Sequence, residues 1–136
     1  MKEKENLSIA QVVKKYNLNA RKSLGQNFIF DKSLLNRIAS FADPKNGEII
    51  LEIGTGHGGL TRELIENGAN KIHLIEQDLR FKGAIDDIEK DYPNIIKVNY
   101  EDALKFNYSN KFLKNVSIVS NLPFNIATPL LITWLS

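Results

Sequence analysis

The sequence predicts an α/β fold, a parallel sheet covered by helices on both faces, and three observations predict it. Strand-like and helix-like segments alternate along the chain. The strand-like segments are short, nearly continuous apolar runs, as expected of strands buried on both sides. A glycine-rich stretch joins the first of these runs to a helix. In such a fold, right-handed crossovers bring the C-terminal ends of the strands to one rim, where ligands bind. Residues with chemistry to perform are therefore expected just after each strand.

The elements follow in order. Ser8 and Gln11 have capping-box spacing, and Ile9, Val12, Val13 and Tyr16 make an apolar stripe, so residues 8–16 are read as a short helix. Residues 17–30 are read as loop. Asp31 caps a second helix through Ala42, with Leu34, Leu35, Ile38 and Phe41 expected on its buried side. Asp43-Pro44 ends it. Residues 49–53 form the first strand, and a helix carrying Leu60, Leu64 and Ile65 then runs to Asn67-Gly68. Residues 72–75 form the second strand. Asp78 caps the next helix, which turns Phe81, Ala84, Ile85 and Ile88 inward and closes at Tyr92-Pro93. Residues 95–98 and 116–119 are the third and fourth strands, and Thr128-Pro129 opens a last helix.

Composition narrows the function. A chain of 136 residues, 43% hydrophobic and 25% charged, suits one soluble domain. There is no cysteine, which excludes disulfides and thiolate metal sites, and two histidines are too few for the usual metal cluster. The sequence contains neither a transmembrane run nor a signal peptide, so a cytoplasmic, metal-independent protein is expected. Charge is unevenly spread. Residues 1–25 hold six basic groups against Glu3 and Glu5, whereas the remainder is slightly acidic. Lys14, Lys15, Arg21 and Lys22 in this arm are candidates for phosphate contact with RNA, the alternative being a solvated tail.

The rim residues carry the chemistry. Gly54, Gly56, Gly58 and Gly59 follow the first strand, where glycine lets the backbone turn sharply and touch a ligand. The loop opens a helix, whose free amides point toward that ligand. Gly54, Gly56 and Gly59 also satisfy the dinucleotide pattern G-x-G-x-x-G. Glu76 ends the second strand, where a carboxylate can accept hydrogen bonds from both hydroxyls of a ribose. That suits a nicotinamide dinucleotide and S-adenosylmethionine equally; the plainer reading is a helix cap. Glu52 separates the two, because an acid two residues before the first glycine resembles the first motif of Rossmann-like methyltransferases. There it would fix the loop and help hold the amino-acid end of the cofactor. Asp102, after the third strand, is placed to accept from the amino group of an adenine ring, or else to cap a turn.

Asn121-Leu122-Pro123-Phe124, after the fourth strand, is the most informative stretch. The exocyclic amine of adenine is a poor nucleophile, because its lone pair is delocalised into the ring. Acceptors that bond its two hydrogens, the Asn121 side-chain oxygen and the main-chain carbonyl after it, would orient that lone pair. Pro123 stiffens the turn and Phe124 offers a face on which an unstacked base can rest. Positioning and electrostatics would then carry the catalysis, without a strong general base.

In order, these motifs resemble the ribosomal RNA adenine N6,N6-dimethyltransferases of the small-subunit type. Residues 22–29 resemble the family's Gly-Gln-Asn-Phe-Leu element, residues 51–61 its glycine loop and residues 74–78 its ribose motif. Asp102-Ala103-Leu104 resembles its adenine motif, and residues 121–130 resemble its catalytic motif. The resemblance implies a Rossmann-like S-adenosylmethionine-dependent methyltransferase fold. It implies cofactor contacts at Gln26, Asn27, Ile29, Glu52, Gly54, Gly56, Glu76, Asp102 and Asn121, and catalytic or target-base roles for Asn121, Leu122, Pro123 and Phe124. Ribosomal RNA, in the small subunit, is the implied partner.

The chain departs from the family at three points. It has Thr55 where Pro is usual, His57 where Leu is usual and Phe124 where Tyr is usual. Phe124 also fits relatives that methylate large-subunit RNA. His57 is expected to be exposed and is given no role. Residues 1–25 read as a basic arm and residues 26–136 as an incomplete methyltransferase domain, truncated after the fourth strand and the start of the next helix. The family's C-terminal helical domain is absent, so a non-catalytic fragment, or one needing a partner chain to complete its sheet, is the alternative. An NAD-dependent oxidoreductase and a DNA adenine methyltransferase are the remaining rivals.

Overall fold

The computed structural model describes residues 7–20, 29–44, 48–109 and 116–120. At the centre is a parallel four-stranded sheet with the order β3-β2-β1-β4. Its strands are β1 (Ile49–Ile53), β2 (Ile72–Ile75), β3 (Ile96–Asn99) and β4 (Val116–Ser120). The first two match the sequence expectation, β3 is displaced by one residue and β4 runs one residue longer. Ile53 is in register with Ile75 and with Ser120, and Ile75 is in register with Asn99. The four strands therefore end level, and the segments that leave them emerge side by side along one rim. The strand order reverses between β1 and β4, the switch point at which doubly wound sheets bind ligands.

Strand alternation divides the core in two. Ile50, Ile72 and Leu74 face one side, where they join Leu35, Ala39, Leu60, Leu64, Phe81, Ala84 and Ile85. All four described helices contribute to this cluster: α1 (Ile9–Lys15), α2 (Lys32–Ala42), α3 (Gly59–Glu66) and α4 (Lys82–Asp91). Leu51, Ile53 and Ile75 face the other side, against Ala103, Phe106, Tyr108 and Val116. Among the described residues this second face is covered by the segment after β3, and the helix expected from Thr128 lies outside them.

Helix boundaries follow local chemistry. The Ser8 side chain accepts from Gln11 N and the Gln11 side chain accepts from Ser8 N, the expected capping box. Asp31 caps α2 by accepting from Ser33 N and Leu34 N. Asp78 caps a single 3₁₀ turn, Leu79–Phe81, which then runs into α4.

The buried side of α2 differs from the expectation. Leu34 is 41% exposed and Phe41 83% exposed, whereas Leu35 and Ala39 are buried. The contact stripe runs through Leu35, Ile38, Ala39 and Ala42, at true helical spacing. A small residue, Ala39, lets α2 approach closely, and that contact outweighed the pull of two larger side chains. Phe81, by contrast, is fully buried as expected. Phe81→Ala should cost about 3–5 kcal/mol of stability, read from the urea midpoint; a loss below about 1 kcal/mol would contradict its place in the core.

Candidate cofactor site

The rim begins where β1 ends. Gly54, Gly56 and Gly58 have φ of 75°, 57° and 87°, a left-handed conformation that strains any side chain. A Cβ at Gly58 would also lie 2.5 Å from Ile88 Cδ1. Gly58 is the N-cap of α3 and supplies no side-chain cap; the first amide of the helix, Gly59 N, is bonded instead to the His57 ring.

Glu76 stands beside this loop. Its Oε1 accepts from Gly56 N at 2.9 Å and its Oε2 accepts from Asp78 N at 2.9 Å. One carboxylate thus ties the β1 loop to the β2 loop. Burial raises its pKa, and the bonds from Asp78, Gly56 and Gln77 amides oppose that rise. The helix-cap reading and the ligand reading are compatible here, because a carboxylate offers about four lone-pair sites and the three amides leave one of them open.

Glu52 lies beneath the loop and is 1% exposed. Strand alternation points it to the helix side, where Thr61 Oγ1 donates to its Oε1 at 2.6 Å. Burial raises its pKa to about 8; the Thr61 bond opposes this and the neighbouring Glu76 charge adds to it. Glu52 therefore ties the end of β1 to α3 beneath the loop. Its folded-state pKa lies above the ordinary value of 4.5, so its contribution to stability is complete below pH 4.5 and is lost as pH rises through about 8. At about 1.4 kcal/mol per pKa unit, the decline should amount to a few kcal/mol. Glu52→Gln should flatten the fall in unfolding free energy between pH 5 and pH 9; an unaltered fall would contradict this account.

The other expected residues are distributed as follows. Asp102 is half-buried and its Oδ1 accepts from Leu104 N at 2.9 Å, so the turn-capping alternative is realised at that oxygen. Lys14 is exposed. Lys15 Nζ lies 3.4 Å from Asp87 Oδ2 and the Tyr16 hydroxyl donates to the same oxygen, contacts that help seat α1 on α4. Gln26, Asn27, Arg21, Lys22, Asn121, Leu122, Pro123 and Phe124 lie outside the described residues. Asn121 nevertheless directly follows Ser120, which is level with Ile53, the residue before Gly54.

One rim residue was misjudged from the sequence. His57 is buried, at 8% exposure. Its Nδ1 accepts from Gly59 N at 3.0 Å, and its Nε2 lies 3.1 Å from the carbonyl oxygen of Ile29. Accepting at Nδ1 requires the proton to sit on Nε2, which then donates to Ile29. Burial lowers the pKa and so favours the neutral ring. The signal for burial was available, because the resembling family places an apolar residue at this position. Thr55, the neighbouring departure, is also buried, and its hydroxyl has no hydrogen-bond partner among the described residues.

Among the described residues, no cluster of His, Asp or Glu could hold a metal and no helix is long and apolar enough to cross a membrane.

The chain is similar to known proteins. A protein named ribosomal RNA small subunit methyltransferase A, from Rhodopseudomonas palustris strain BisB18, is 48% identical over 130 residues, which make up 94% of this chain and 45% of that protein. The protein of the same name from Bartonella tribocorum is 46% identical over 130 residues, 93% of this chain and 47% of its own length. The chain thus spans less than half the length of these relatives. Among solved structures, the 23S rRNA methyltransferase ErmE aligns with a TM-score of 0.65 at 28% identity, over 79% of this chain and 42% of its own. A dimethyladenosine transferase from Plasmodium falciparum aligns with a TM-score of 0.63 at 28% identity, over 76% of this chain and 36% of its own. The fold is therefore the Rossmann-like methyltransferase fold that the motif order implied. The ribosomal RNA adenine dimethylase family matches residues 17–136, and the chain belongs to it.

Proposed function

We propose that this chain forms the cofactor-binding part of an S-adenosylmethionine-dependent enzyme that methylates N6 of adenine in ribosomal RNA, with small-subunit RNA as substrate. The observation that carries the proposal is the joint between Glu76 and Gly56. It places a buried carboxylate against a glycine loop at the end of β1, beside the point where the strand order reverses.

The residues present fit this cofactor. Glu76 retains acceptor capacity for a ribose hydroxyl, and the glycines leave the loop backbone open to close approach. The helix α3 begins at the same loop, so its positive end would lie toward the cofactor's carboxylate. Asp102, at the end of the neighbouring strand, would accept from the adenine amino group. The bound cofactor supplies an electrophilic methyl group.

The protein's part is to present the nucleophile. The Asn121 side-chain oxygen and the carbonyl that follows it would hold the two hydrogens of the target amine and turn its lone pair toward the methyl group. Phe124 would support the unstacked base. After transfer the amine nitrogen is cationic and acidic and releases a proton to water, so the site needs orientation more than a strong base. The names of the relatives support small-subunit RNA as the substrate.

The test is transfer of labelled methyl from S-adenosylmethionine to unmethylated small ribosomal subunits, followed by digestion to nucleosides. Label in N6-methylated adenosine is the expected result. Label on duplex DNA in preference to RNA, or at another base position, would contradict the proposal.

A further inference from the structure

We infer that His57 is a positioning residue that clamps the Ile29 segment onto the glycine loop and so sets the affinity for the amino-acid end of the bound cofactor. The inference rests on the cofactor reading above. Its basis is the two-sided bonding of one buried ring. Nε2–H donates to the Ile29 carbonyl and Nδ1 accepts from Gly59 N, so the imidazole bridges two segments separated by nearly thirty residues in sequence. The Phe30 ring lies 6.0 Å from the imidazole, and a Cβ on Gly59 would come within 2.7 Å of His57 Cε1, so the ring sits in a closely fitted space. A leucine could fill that space but could neither donate to Ile29 nor accept from Gly59.

Sheet order decides which part of the cofactor is affected. Asp102 follows β3 and Glu76 ends β2, so the adenosine portion would lie over the β3–β2 half of the rim. The remainder must then extend across the β1 loop toward β4. Ile29 and Phe30 lead into α2, which packs against α3, the helix opened by the β1 loop. The clamp therefore lies at the end of the site remote from adenine. Loosening it should weaken ligands that carry the amino-acid end and spare ligands that lack it.

The experiment compares S-adenosylhomocysteine with 5′-methylthioadenosine, which shares the adenosine and sulfur but lacks the amino acid. Calorimetric titration of the chain and its His57→Leu variant should show roughly tenfold weaker binding of the first ligand and less than about twofold change for the second. His57→Gln, which keeps an Nε–H donor at similar reach, should recover most of the loss. Equal weakening of both ligands, or none, would overturn the role of His57 alone. Failure of the unsubstituted chain to bind either ligand would overturn the cofactor reading and this inference with it. A nitrogen NMR measurement of the unsubstituted chain tests the clamp independently of any variant's folding: the proton is expected on Nε2, and a proton on Nδ1 would overturn it.

Discussion

Glu76→Ala should reduce affinity for S-adenosylmethionine by two orders of magnitude or more, read by equilibrium dialysis of the labelled compound. A hydrogen bond to a charged group contributes about 1.5–3 kcal/mol, so losing the ribose acceptor together with the anchor of the glycine loop removes on the order of 3 kcal/mol. The same carboxylate holds Gly56 N and Asp78 N, so the alanine variant also frees the glycine loop from the end of β2. Glu76→Gln separates these effects. It keeps one acceptor oxygen and the side-chain volume, and should bind with intermediate affinity. Unfolding of both variants can be followed in parallel, and removal of a charge beside Glu52 relieves a repulsion that raises the Glu52 pKa. Affinity in Glu76→Ala within a few-fold of the unsubstituted chain would remove Glu76 from the site.

Asn121→Ala is expected to reduce methyl transfer by at least on the order of 10²–10³ in kcat, the cost typical of removing one preorganised polar group aimed at a reacting centre. The argument starts from nucleophilicity. The target amine shares its lone pair with the ring, and two acceptors that hold its hydrogens must restore the required geometry. Asn121 follows Ser120, and the register of β4 on β1 brings that strand end level with Ile53 and the glycine loop. A retained kcat with a raised KM would assign Asn121 to binding and contradict its proposed part in orienting the amine.

Much of this architecture was legible in the sequence because local and global signals agreed. The β1 and β2 runs, the Asp31 and Ser8 caps, and the inward face of α4 each rest on short-range chemistry: β-branched runs, capping side chains and helical spacing. The errors arose where tertiary packing decided. Phe41 was placed inside because it is large and apolar, yet α2 approaches the core through Ala39, which leaves Phe41 on the outer side. His57 was placed outside because it is polar and sits in a loop; its burial depends on a bridge to Ile29, a contact that no local pattern reveals. At the rim, Glu52 and Glu76 were singled out from their spacing to the glycines. Their coupling to Thr61 and Gly56 required coordinates. Lys15 reads as one of four basic candidates for RNA contact until α1 is docked on α4 and Asp87 comes into reach.

The measurement that bears most directly on the cofactor site is a calorimetric titration of the chain with S-adenosylhomocysteine, and with NADH as the rival ligand. Glycine spacing alone admits both, and Glu52 together with the family match favours the first. Saturable, one-to-one binding of S-adenosylhomocysteine, with NADH binding at least about a hundredfold weaker, is the predicted result. Tighter binding of NADH, or no binding of S-adenosylhomocysteine to the folded chain, would contradict the assignment of this rim to the methyl donor.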